Sequence, residues 1–109
     1  MATLSVQNIP AAGLSPTYSA ASGGGDKLKP GRTTFLHVIN GDVSAMVVTI
    51  ATPGTVSGLA IADRAVTVGA SDEQMIPVPA ELYSDPADSG LASVTYSAVT
   101  GVTVAALRI

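Results

Sequence analysis

The 109-residue sequence contains no cysteine and no tryptophan. Disulfide frameworks and thiolate metal sites are therefore excluded. Aromatic side chains are scarce as well, with Tyr18, Phe35, Tyr83 and Tyr96 as the whole set. A core built here rests on many small contacts from Ala, Val, Leu and Ile. At about 25 cal/mol per Å² of buried apolar area, a domain of this size is marginally stable alone. Charge is also sparse, at 12% of residues against 47% hydrophobic, and the mean hydropathy is +0.45. Disordered chains show the reverse balance, so the chain is expected to fold. Much of its surface must be Ala, Thr, Ser and Val. Part of that surface is expected to be covered by copies of the chain or by a partner. A fully stable, monodisperse monomer at low concentration would contradict this.

Only Lys27, Lys29, Arg32, Arg64 and Arg108 are cationic, and the formal net charge is −3. That leaves no basic surface broad enough for a nucleic-acid backbone, so no nucleic-acid partner is expected. Three of the five cations fall in Lys27–Arg32. The stretch reads as a solvated loop, with an anion-binding segment as the alternative. No run of about 20 apolar residues is present, so no membrane-spanning helix is expected. The opening Met1–Ser5 lacks the basic and apolar regions of a secretory signal.

The chain divides by pattern. Residues 1–32 read as an arm or long loop, ordered where it docks: one short strand over Thr3–Ile9, a break at Pro10–Pro16, and a flexible Ser22–Asp26. Residues 33–109 read as the body of a single domain. Thr33–Asn40 alternates, with Phe35, His37 and Ile39 on one face and Leu36 and Val38 on the other. Asn40-Gly41 is a hairpin signal, because both residues tolerate positive φ. The β-branched run within Ser44–Thr52 suits a strand. Further strands are expected at Thr55–Ile61, Ala65–Gly69, Gln74–Val78, Leu91–Val99 and Val102–Ile109. Pro77 and Pro79 place Gln74–Val78 at an edge, and Ala80–Tyr83 reads as a helical turn or a continuation of that edge. The fold class is all-β: a β-sandwich or jelly-roll-like barrel of about seven to eight short strands with an extended N-terminal arm.

Chemistry is thin. His37 is the only histidine, and its mid-strand position fits a core or interface residue with one hydrogen-bond partner. No Gly-x-Ser-x-Gly elbow occurs. Ser22–Lys27 fails the spacing of a phosphate-binding loop. Asp85–Gly90 has neither the spacing nor the terminal Glu of a calcium loop, and an Asx-type turn is its default. Asp72-Glu73 reads as a solvated turn. No catalytic, cofactor-binding or metal residue is assigned, no cofactor is expected, and an enzyme is not.

Four segments resemble small proteins encoded among the head genes of tailed bacteriophages, especially those of actinobacterial hosts. They are Met1–Ile9, Thr34–Gly41, Val47–Gly54 and Val102–Ile109, and their order carries more than any one alone. The resemblance implies a capsid decoration, or cement, protein. Such a protein binds as a trimer on the capsid exterior, where capsid subunits meet, and reinforces the shell. It further implies the major capsid protein as partner, assembly in the host cytoplasm, and a terminal arm that grips the shell. A head–tail joining or tail-tube component is the alternative within the virion. A cell-surface or carbohydrate-binding sandwich is a weaker one, since sugar platforms favour Trp.

Overall fold

The computed structural model describes residues 2–109. Its strands are β1 (Ala2–Leu4), β2 (Val6–Asn8), β3 (Ser19–Ala20), β4 (Asp26–Leu28), β5 (Thr34–Asn40), β6 (Met46–Ile50), β7 (Thr55–Val56), β8 (Leu59–Ala60), β9 (Arg64–Val68), β10 (Asp72–Pro77), β11 (Ala92–Tyr96) and β12 (Val102–Arg108). One helical turn, α1 (Ala80–Tyr83), and a 3-10 turn at Pro86–Asp88 join β10 to β11.

The fold is the expected all-β sandwich. One sheet has the order β1-β4-β11-β6-β9 and the other β10-β5-β12-β2, with β3 also pairing to β12. Most pairings are antiparallel, while β1 with β4 and β2 with β12 are parallel. The alternation of each strand decides what is buried. On β5, Leu36, Val38 and Asn40 face the other sheet and are fully or almost fully buried. On β6 the inward set is Met46, Val48 and Ile50, and on β12 it is Val102, Val104 and Ala106. Their side chains, with Leu28, Val68, Val94 and others, form one core between the sheets.

The N-terminal segment docks along much of its length. The stretch expected as one strand over Thr3–Ile9 breaks at Ser5, and its two halves join different sheets. Asp26–Leu28, expected in a flexible and solvated stretch, is an inner strand between β1 and β11. Leu28 and Asp26 are fully buried there, so residues 26–28 belong to the sandwich itself. The radius of gyration is 13.7 Å, close to the ~13 Å of a compact 100-residue chain.

The hairpin expected at Asn40-Gly41 does not form. β5 and β6 lie in different sheets, so the chain arches across the core instead of folding back in plane. Gly41 is not in the positive-φ region that a tight hairpin turn of this type needs. Asn40 is pulled inward, where its amide donates to Ser44 O at 2.9 Å, Gly69 O at 3.2 Å and Val68 O at 3.3 Å. A second arch, from β11 to β12, stacks on the first, and Gly41 N donates to Gly101 O at 2.9 Å. The β9–β10 connection crosses between the sheets as well. The short β7–β8 hairpin stands outside both sheets. Its turn residues Ser57 and Gly58 both have positive φ, and Thr52 closes its base on Ile61 O and Asp63.

Candidate functional site

The two sides of the sandwich are built differently. On one side the chain crosses from β1 to β2 through Ser5, leaving a slot of about 400 Å³ whose lining includes Leu4, Gln7, Ser19, Asp26 and Ala105. On the other side the edge strands β9 and β10 face each other, and neither outer edge is paired among the described residues. Between them and α1 runs a groove of about 360 Å³, lined by Val66, Met75, Ile76, Pro77, Leu82 and Tyr83 among others. A neighbouring hollow of about 310 Å³ shares Arg64, Leu82 and Tyr83 with it. Tyr83 is the buried anchor of α1, whereas Met75 is 60% and Leu82 43% exposed. Exposed apolar side chains beside unpaired strand edges favour contact with another chain.

His37 lies on the outer face of its sheet, buried in spite of that position. Tyr18 packs edge-on against it, with ring centroids 5.4 Å apart. The Tyr18 hydroxyl is 2.7 Å from Nδ1, and Glu73 Oε1 is 3.3 Å from Nε2. His37 thus has two partners where the sequence reading expected one. A tyrosine donating to Nδ1 leaves the ring proton on Nε2, pointing at the carboxylate. The order hydroxyl, imidazole, carboxylate matches that of a nucleophile, base and orienting group. Here it also braces the segment before β3 onto the sheet. Gln7 adds to the brace: its side-chain amide donates to Thr17 O at 2.8 Å and accepts from Thr17 N at 2.9 Å.

Asp72 and Glu73 open strand β10 and are not a separate turn. Asp85 accepts from Ala87 N at 3.0 Å, the Asx-type arrangement expected. Lys27 pairs with Asp88, while Lys29 and Arg32 line a separate cleft together with Arg108. Ser22–Gly25 is a tight turn, with Gly25 N donating to Ser22 O at 2.9 Å, that delivers Asp26 into the core. Among the described residues no group of three or more His, Asp and Glu side chains gathers to hold a metal ion.

Sequence reasoning missed Asp26. Its Oδ2 accepts from the Tyr96 hydroxyl at 2.7 Å and from Ser22 N at 3.3 Å. Oδ1 has no hydrogen-bond partner among the described residues. Burial pushes the Tyr96 phenol far above the ordinary tyrosine value, and its hydrogen bond to Asp26 and that carboxylate's charge push the same way. The sequence signal for Asp26 was faint: a glycine that supplies positive φ at 25, then Leu28 at a spacing of two.

No family model matches the chain, and no curated protein or solved structure matches it.

Proposed function

We propose that this chain is a virion structural protein that decorates and stabilises the capsid of a tailed bacteriophage. In this reading it sits as a trimer on the capsid exterior, with the major capsid protein as partner, and is assembled in the host cytoplasm. The observation that carries the proposal is the ordered set of four resembling segments. Three of them run along β5, β6 and β12, the strands that supply about half of the core. The resemblance therefore concerns the framework of the domain and not one surface loop.

The surface supports the same reading. Val43, Leu59, Met75, Leu82 and Ile109 are all exposed on a chain with few charges to keep it apart from neighbours. A lattice of sites converts such weak contacts into firm attachment, because each engaged copy or subunit holds the next at high effective concentration. The β9–β10 groove offers both apolar side chains and unpaired strand edges for that contact. We assign the Tyr18–His37–Glu73 chain to bracing and give it no catalytic role.

Co-sedimentation with empty expanded capsids tests the proposal. The wild-type chain is expected to pellet with the shells. Met75→Glu with Leu82→Glu should weaken binding about tenfold, or ~1.4 kcal/mol, with the melting temperature nearly kept because both side chains are exposed. A wild-type chain that stays in the supernatant would overturn the proposal. Deleting residues 1–32 is not a usable control, since it removes the inner strand β4.

The second virion reading, a head–tail joining or tail-tube component, draws on the free-standing β7–β8 hairpin, whose Leu59 is 73% exposed. Location on the virion separates the two readings.

A further inference from the structure

The cleft that gathers Lys29, Arg32 and Arg108 has a volume of about 280 Å³. Three of the chain's five cations meet there, in a protein of net charge −3. They come from two segments held in place by backbone pairing, the β4–β5 connection and the end of β12. Lys29 follows β4, Arg32 sits in the turn before β5, and Arg108 ends β12 directly opposite Thr34. The turn carrying Arg32 is closed by Thr34 N donating to Gly31 O at 3.2 Å. A Cβ at Gly31 would lie 2.8 Å from Thr34 Oγ1, so a side chain there would have to displace that hydroxyl. Ile109 N donates to Thr33 O at 3.3 Å, and Ile9 N to Arg108 O at 2.8 Å.

None of the three cations has a carboxylate within salt-bridge distance among the described residues, where Lys27 pairs with Asp88 and His37 hydrogen-bonds Glu73. Among the described residues no acidic side chain lines the cleft. Three exposed like charges around one cleft repel one another, and an incoming anion relieves that repulsion. Two arginines also offer planar, forked donors suited to carboxylates.

We propose that this cleft is a docking site for an acidic polypeptide segment, seating its carboxylates against Lys29, Arg32 and Arg108. The cleft is small and the rest of the chain is acidic, which favours a short run of carboxylates over an extended polyanion. That the segment belongs to the capsid rests on the reading above; the chemistry of the cleft does not.

The test is a titration of the full chain, followed by amide NMR, with tetraglutamate peptide and separately with inorganic phosphate. Tetraglutamate is expected to shift the amides of Arg32, Thr33 and Thr34, with an effect that fades as salt is raised. The shifts should vanish in Lys29→Ala/Arg32→Ala/Arg108→Ala and shrink in Arg32→Gln, a single exposed change that leaves the fold in place. Absent shifts, or shifts that survive in the triple variant, would overturn the proposal. Phosphate binding as tight as tetraglutamate would overturn it in favour of a phosphate site. In the capsid assay the triple variant should bind at least about tenfold more weakly, and unchanged binding would count against the site. If the wild-type chain fails to bind capsids, the decoration reading falls and the titration alone decides the cleft.

Discussion

Replacing Asn40 by alanine probes the feature that sets this sandwich apart from a stack of hairpins. Asn40 is 1% exposed. Its amide serves three carbonyls, those of Ser44, Val68 and Gly69, and its Oδ1 accepts from Asp42 N at 3.1 Å. One side chain thus ties the β5–β6 arch to the β9–β10 connection. Alanine strips that partner from three carbonyls and one amide and leaves a void. The amide has two N–H groups shared among the three carbonyls and one oxygen acceptor, so at ~1 kcal/mol net for each of these three the loss is about 3 kcal/mol. A domain of this size has only ~5–15 kcal/mol in total. At roughly 4–8 °C per kcal/mol, the melting temperature should fall by about 12–24 °C. Asn40→Asp keeps the shape but turns a carboxylate toward carbonyl oxygens, and should cost at least as much at neutral pH. Urea and thermal unfolding followed by far-ultraviolet circular dichroism give both numbers. A loss below about 0.5 kcal/mol, the range of an exposed turn substitution, would refute the reasoning. That small loss is what a two-residue hairpin with a solvent-facing Asn40 would give.

Other outcomes follow from the same contacts. Gly101 has φ +70°, and a Cβ there would sit 3.2 Å from Asp42 N; Gly101→Ala should cost about 1–2 kcal/mol in urea unfolding. Gly54, where a Cβ meets nothing within 4 Å, should tolerate alanine within about 0.5 kcal/mol. Tyr96→Phe removes the hydroxyl donor to the buried Asp26 carboxylate and should cost about 1.5–3 kcal/mol by the same assay. The Tyr96 phenol is held above its ordinary value of 10.0 in the folded state. Its contribution is therefore complete below that value and is lost as pH rises through the folded one. Spectrophotometric titration of the native protein should show a phenol that resists ionisation, absent in Tyr96→Phe. Tyr18→Phe cuts the link to His37 and should speed amide exchange around Thr17–Ala20, with global stability changed by about 1 kcal/mol or less.

The strands were legible and their partners were not. Thr34–Asn40, Met46–Ile50 and Val102–Arg108 announce themselves because alternation and β-branching are local properties of the chain. Pro77 correctly marked β10 as an edge, since proline cannot serve an inner ladder. Turn residues say only that the chain reverses. Asn40-Gly41 and Thr100-Gly101 have the same composition whether the next strand pairs in plane or packs across the core. Choosing between them takes Asn40's inward partners at Ser44, Val68 and Gly69, two of them nearly thirty residues away. Asp26 was hidden for a related reason. A carboxylate between Gly25 and Lys27 looks solvated until Tyr96, seventy residues on, supplies its donor. Lys29 and Arg32 were visible as a pair, but Arg108 joins them only through the register of β12 against β5.

Electron microscopy of the virion tests the decoration reading most directly. Density with the shape of this sandwich is expected, repeated over the outside of the head where capsid subunits meet. Density confined to a single vertex or to the tail, or a head surface bare of it, would rule out decoration of the capsid.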